Sequence, residues 1–151
     1  MSGLLKVLLF DSPTSIISGL IRWETRSKYN HAAILLRDGT VIESVEFAGV
    51  HRLPTQASWA PPNRVDSFTV AGLDDDKVEA FLISQLGKPY DWPDLVGFVT
   101  RSGVDEDRGA WFCSELCFAA IEAGGVTLLR DVPPFCVSPG TLSLSPFLIP
   151  A

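Results

Sequence analysis

The stretch GAWFCSELCFAAIEAGG, residues 109–125, constrains the fold more than any other. Counted at helical spacing from Cys113, one side carries Cys117, Ala120, Ile121 and Gly124, with Leu116, Ala119 and Ala123 beside it. Glu115 and Glu122 mark a polar edge. A helix this apolar on nearly every side has to be covered by other elements, and its small residues let a sheet approach closely. Gly124-Gly125 provides its stop.

The rest of the chain supplies that cover. Residues 4–10 form a compact apolar run and read as a buried first strand. SPTSIISGLIRWET has Pro13 and helical spacing of Ile16, Ile17, Leu20, Ile21 and Trp23, so it predicts a short helix. YNHAAILLRDGTVIESVEF is the clearest hairpin, two β-rich runs around Asp38-Gly39. GVHRLP adds a further strand, and RVDSFTV alternates like one. Between them PTQASWAPPN reads as a Pro-rich loop or single helical turn. DDDKVEAFLISQLG has acids in its first turn and Gly87 at its end, a helix with both termini marked. KPYDWPDLVGFVTRSG predicts a turn and then a helix, and VDEDRG a polar loop. The Pro/Ser-rich tail, residues 131–151, reads as extended pieces laid over the surface. No internal repeat or linker divides the chain, so the expectation is one α+β domain over 1–151, an antiparallel sheet with helices against it.

Composition narrows the partners. With 151 residues, 46% of them hydrophobic, the chain is long enough to bury a core. Eighteen Asp and Glu against twelve Lys and Arg give a formal charge of −6 with no basic run, which argues against nucleic acid and anionic lipid as partners. Nothing approaches the ~20 apolar residues of a membrane helix. The apolar start is broken by Lys6, stops at Asp11 and has no small-residue cleavage site, so it is not read as a signal peptide. The three cysteines, Cys113, Cys117 and Cys136, are odd in number and confined to the last third, which points to a reducing, cytoplasmic setting rather than a disulfide framework.

Cys113 falls at or near the first helical position, where unpaired backbone N–H groups and the helix dipole stabilise a thiolate. The same N–H groups suit an oxyanion. Cys117, a turn further in, has neither advantage, and Cys117 and Cys136 read as small core hydrophobes. Helix position alone leaves Cys113 either as core filler or as a nucleophile, and a nucleophile needs a base. There are two histidines. His31, followed by Ala32 and Ala33, suits a strand whose first residue faces a cleft, whereas His51 reads as an ordinary exposed strand residue. The carboxylate that orients His31 depends on hairpin register. A two-residue Asp38-Gly39 turn sets Glu46 opposite His31. A three-residue Arg37-Asp38-Gly39 loop sets Glu43 diagonal to it, on the same face. Gly39 in the third loop position fits a type I turn with a G1 bulge, and Ala33 leaves room for Glu43; an Asp-Gly pair equally suits the shorter turn.

At this point the residues resemble a known family. GKPYDWPDLVGF followed by WFCSELC is similar to the PY-x-W and CS-x-L segment of the NlpC-type papain-like cysteine peptidases, and HAAILLRDGTVIES resembles their histidine hairpin. The chain order His31, Glu43, Cys113 is that of the circularly permuted, YiiX-like branch, which is related to the lecithin:retinol acyltransferase group. SIISGLIRWETRSKYNHAAIL and VSPGTL also look like that branch, and the likeness spans most of the chain. It implies a permuted papain-like fold, with an antiparallel sheet packed on a central helix carrying the cysteine. It further implies Cys113 as nucleophile, His31 as base, Glu43 as orienting residue and Tyr90 as support for the oxyanion site. Cys113-Ser114-Glu115 departs from the more common CSG of the family, a change at the pocket rim.

The reading implied is a thiol hydrolase of the amidase or peptidase type on small peptide-like or cell-wall-derived amides, with no cofactor or metal. A bacterial intracellular or phage-encoded enzyme fits the absence of a leader. Two alternatives are a thioesterase or acyltransferase on acyl lipids, and a catalytically silent binding or assembly module closed by residues 54–62 or the tail. Cys113 and Cys117 as a metal or redox pair lack a second ligand pair. Of the four tryptophans, Trp23, Trp59, Trp92 and Trp111, most read as core.

Overall fold

The computed structural model describes residues 4–11, 27–54, 64–90, 110–132 and 137–151. The helix expected around Pro13, the one expected after Asp91, most of the 54–62 loop, Cys136, Trp23, Trp59 and Trp92 lie outside those residues.

A six-stranded antiparallel sheet forms the frame. Its strands are β1 (Lys6–Asp11), β2 (His31–Leu35), β3 (Val41–Val45), β4 (Gly49–Leu53), β5 (Arg64–Val70) and β6 (Leu148–Pro150), in the order β4-β3-β2-β1-β5-β6. Helices α1 (Asp75–Gln85), α2 (Cys113–Ala123) and α3 (Pro139–Ser143) complete an α+β arrangement. β1 is continuously apolar because it is an interior strand covered on both faces. Val7 and Leu9 enter the main core, while Leu8 and Phe10 join Ala33 and Val41 in a second cluster on the opposite side. Burying side chains of this size contributes about 1.5–3 kcal/mol each.

The main core lies between the sheet and the two longer helices. Leu116, Cys117, Ala120 and Ile121 of α2 meet Ala32, Ile34, Ile42 and Val50 of the strands and Val78 and Leu82 of α1. Gly124 permits the close approach of α1: a Cβ there would stand 2.5 Å from Val78 Cγ2 and 2.6 Å from Leu73 Cδ1. α1 starts on an Asp74 N-cap whose side chain accepts from the Lys77 amide, as its acidic start predicts. Arg37 from the β2–β3 loop pairs with Glu79 (2.9 Å) and Asp76 (2.5 Å) and ties α1 to the hairpin.

Two expectations need correction. Glu115 is not a polar edge but is buried in the first turn of α2, and Glu122 alone is exposed. The tail is not simply extended: α3 interrupts it, and β6 then joins the sheet beside β5. The overlooked signal was Ser138-Pro139, an N-cap whose hydroxyl accepts from the Thr141 amide, with proline in the helix's opening turn.

Candidate active site

Cys113 is the first residue of α2, and the backbone leading to it is fixed before the helix begins. The Trp111 amide donates to the Pro89 carbonyl (3.0 Å), and Tyr90 forms a short parallel bridge with Trp111. Ser44 of β3 donates its hydroxyl to the Trp111 carbonyl (2.6 Å). Residues 87–90 are in turn held by β4, since the Val50 amide donates to Lys88 O (2.8 Å) and the Gly87 amide to Val50 O (2.9 Å). Only glycine fits at residue 49, which has φ +70° and would place a Cβ 2.3 Å from the Lys88 carbonyl oxygen. The Trp111 indole N–H donates to Gln85 (2.9 Å), fastening the same segment to α1.

Phe112 occupies the N-cap with extended backbone (φ −78°, ψ 152°) and no side-chain acceptor. The first amides of α2 have no intrahelical carbonyl to bond, so the helix tip presents its positive end beside Cys113. Cys113 itself is buried in a small cluster with Tyr90 and Phe112, whose ring centroids are 5.8 Å apart.

His31 opens β2 and packs against Phe10, its partner across the β1–β2 ladder, at 5.2 Å between centroids. Its Nε2 donates to Glu43 Oε2 at 2.5 Å, and the Cys113 thiol lies near enough to the ring to help raise its pKa. An imidazole has two different nitrogens, so one ring can serve a carboxylate and a thiol together. With Nε2 committed to Glu43, Nδ1 is the nitrogen left for sulfur.

Hairpin register puts Glu43 there. Leu35 pairs with Val41, the Leu36 amide donates to Thr40 O (2.8 Å), and Gly39 adopts φ +87°. This is the three-residue loop, which carries Glu43 to the diagonal of His31. Glu46 instead lies in the turn after β3, so it is not the histidine's partner. The second histidine is the residue that sequence reasoning misjudged. His51 is no ordinary surface residue: it pairs directly with Glu43 in the β3–β4 ladder, and its Nε2 donates to Glu43 Oε1 at 3.0 Å. The available signal was the β3–β4 register, which places a third polar side chain beside the first two.

His31 and Glu43 shift each other's acidity. Burial pushes the His31 imidazolium down, but the Glu43 charge, hydrogen bonding with Cys113 and Glu43, and the Cys113 charge outweigh it and raise the pKa well above its ordinary value. Burial pushes the Glu43 carboxyl up, yet the His31 charge and hydrogen bonds from both histidines hold it below the usual carboxylate range. At Cys117, burial, with the charges of Cys113 and Glu43, pushes the thiol well up. Among the described residues, no three His, Cys, Asp or Glu side chains converge as metal ligands, and no helix is long and apolar enough to cross a membrane.

No protein-family model matches the chain, and no curated protein is significantly similar to it.

Proposed function

We propose that the protein is a thiol hydrolase of the amidase or peptidase type, built as a permuted papain-like domain, in which Cys113 is the nucleophile, His31 the base and Glu43 its orienting partner. One observation carries this reading: a single imidazole is bonded to a buried carboxylate and has as its neighbour the thiol that opens a buried helix. In the proposed reaction His31 accepts the Cys113 proton and the thiolate adds to an amide carbonyl. The carbonyl electron pair moves to oxygen, where the α2 amides, with Tyr90 beside them, stabilise it. Collapse of the intermediate restores the carbonyl and breaks the C–N bond, and the amine departs with the proton from His31. Water, giving a proton to His31, attacks the thioester; the acid is released and Cys113 recovers its proton. Glu43 keeps Nε2 protonated and favours the imidazolium throughout. Peptide-like or cell-wall-derived amides are the substrate class that the sequence resemblance supports.

The test is intact-mass and peptide mapping after exposure to a peptidyl vinyl sulfone and, separately, to a long-chain alkyl vinyl sulfone. The expected result is a peptidyl adduct on Cys113, absent in Cys113→Ala and slowed in His31→Ala. An adduct from the alkyl probe alone would move the reading to acyl-lipid chemistry. No adduct from either probe would remove the catalytic reading.

A further inference from the structure

We propose that His51 is a positioning residue of this site: from β4 it grips Oε1 of Glu43 so that Oε2 stays on His31. The inference rests on the thiol-hydrolase reading for its rate measurement, but not for its spectroscopic one.

Glu43 has a mechanical problem. It reaches diagonally across the β2–β3 pair on a side chain with several rotatable bonds, and its last torsion is a broad, shallow one. A single hydrogen bond at one oxygen does not fix the carboxylate plane; a bond at each oxygen does. Glu43 is also only 4% exposed, where an ionised carboxylate depends on donors in place of water. Among the described residues, the side-chain bond to Oε2 comes from His31 and that to Oε1 from His51. The ladder sets His51 directly opposite Glu43, so its ring needs no adjustment to arrive. The Nε2–H tautomer of a neutral imidazole and the imidazolium both donate from Nε2, so the grip does not require a particular charge at residue 51. The titratable groups bearing on the run are His31 from β2, Glu43 from β3, His51 from β4, and Cys113 and Cys117 from α2. His51 acts on the reacting sulfur only through Glu43 and His31.

The experiment uses the full chain with isotope-labelled histidine. The chain has two histidines, so in any variant at residue 51 the single remaining imidazole signal is His31. His51→Leu and His51→Asn both lose the reach to Oε1, and the His31 midpoint should fall by about one pH unit or more, with Cys113 alkylation by iodoacetamide slowing about tenfold at neutral pH. His51→Gln carries an amide donor to nearly the same point and should recover most of both effects. If His51→Leu does not fold, the contrast between Asn and Gln carries the test. A folded Leu or Asn variant with the wild-type His31 midpoint would overturn the proposal, as would a Gln variant that falls as far as Asn. A thiol inert to both vinyl sulfones, with a His31 midpoint that still follows the side chain at 51, would keep the positioning role and remove only the hydrolase.

Discussion

Glu43→Gln removes a charge without removing volume, and its consequence follows from donors and acceptors. Glu43 accepts from two ring N–H groups, at 2.5 Å from His31 and 3.0 Å from His51. Glutamine has one acceptor oxygen and one amide that only donates. One histidine therefore meets a donor facing a donor. If His31 relieves this by moving its proton to Nδ1, it can no longer accept the proton of Cys113. Hydrogen bonds to a charged group are worth about 1.5–3 kcal/mol and neutral ones about 0.5–1.5 kcal/mol, so two weakened bonds cost about 2–3 kcal/mol together. Breaking one side of a buried pair is the costly case, because His31 is left without its counter-charge. Urea unfolding at pH 6 should show that loss with an unchanged m-value, and iodoacetamide should modify Cys113 about tenfold more slowly for each unit by which the His31 midpoint falls. A variant with wild-type stability and wild-type Cys113 reactivity would refute the claim that this carboxylate holds the histidine.

Further outcomes follow from the same geometry. Iodoacetamide should modify Cys113 in the native protein and reach Cys117 only after denaturation, because Cys113 opens α2 outside the main core whereas Cys117 lies a turn inside it with its thiol pKa pushed up; equal native labelling would contradict this. Gly49→Ala combines a positive φ with a clash on the Lys88 carbonyl and should destabilise by about 1–3 kcal/mol while also slowing Cys113 alkylation, since residues 87–90 hold the entry to α2. Stability loss with unaltered alkylation would detach that segment from the site. pH supplies another measurement. His31 has a folded pKa above its unfolded 6.5, so its contribution is complete below that pH and fades as pH rises through the folded value. Glu43 has a folded pKa below its unfolded 4.5, so its contribution is complete above that pH and fades as pH falls through the folded value. The stability difference between wild type and Glu43→Leu should be largest between those two pH values and shrink on either side. A difference that grows with alkalinity would reverse the sign of the argument.

Much of this arrangement was legible in the residues, and the exceptions have physical causes. The apolar spacing from Cys113 to Gly124 marked α2, and α1 announced both ends through its acidic start and Gly87. The Arg37-Asp38-Gly39 loop favoured Glu43 over Glu46 because Gly39 suits positive φ in the longer loop. Glu115 was misread because local pattern scores a carboxylate as solvent-facing, whereas burial is decided by what packs over the helix tip. His51 was missed because its meaning resides in a second register, that of β3 on β4, which sequence spacing alone left unassigned. α3 was missed because helical period is uninformative over so few residues, and only its Ser-Pro cap marks it.

His31, Glu43 and His51 come from one local meander, β2 through β4, whereas Cys113 comes from a helix made much later in the chain. During synthesis, neighbouring hairpins can close as soon as they leave the ribosome, because short loops are quick to form. A nascent or prematurely terminated polypeptide would therefore hold His31, Glu43 and His51 together and yet lack Cys113. The four groups would come together only when α2 docks, so the arrangement exists in a finished molecule and not in a fragment.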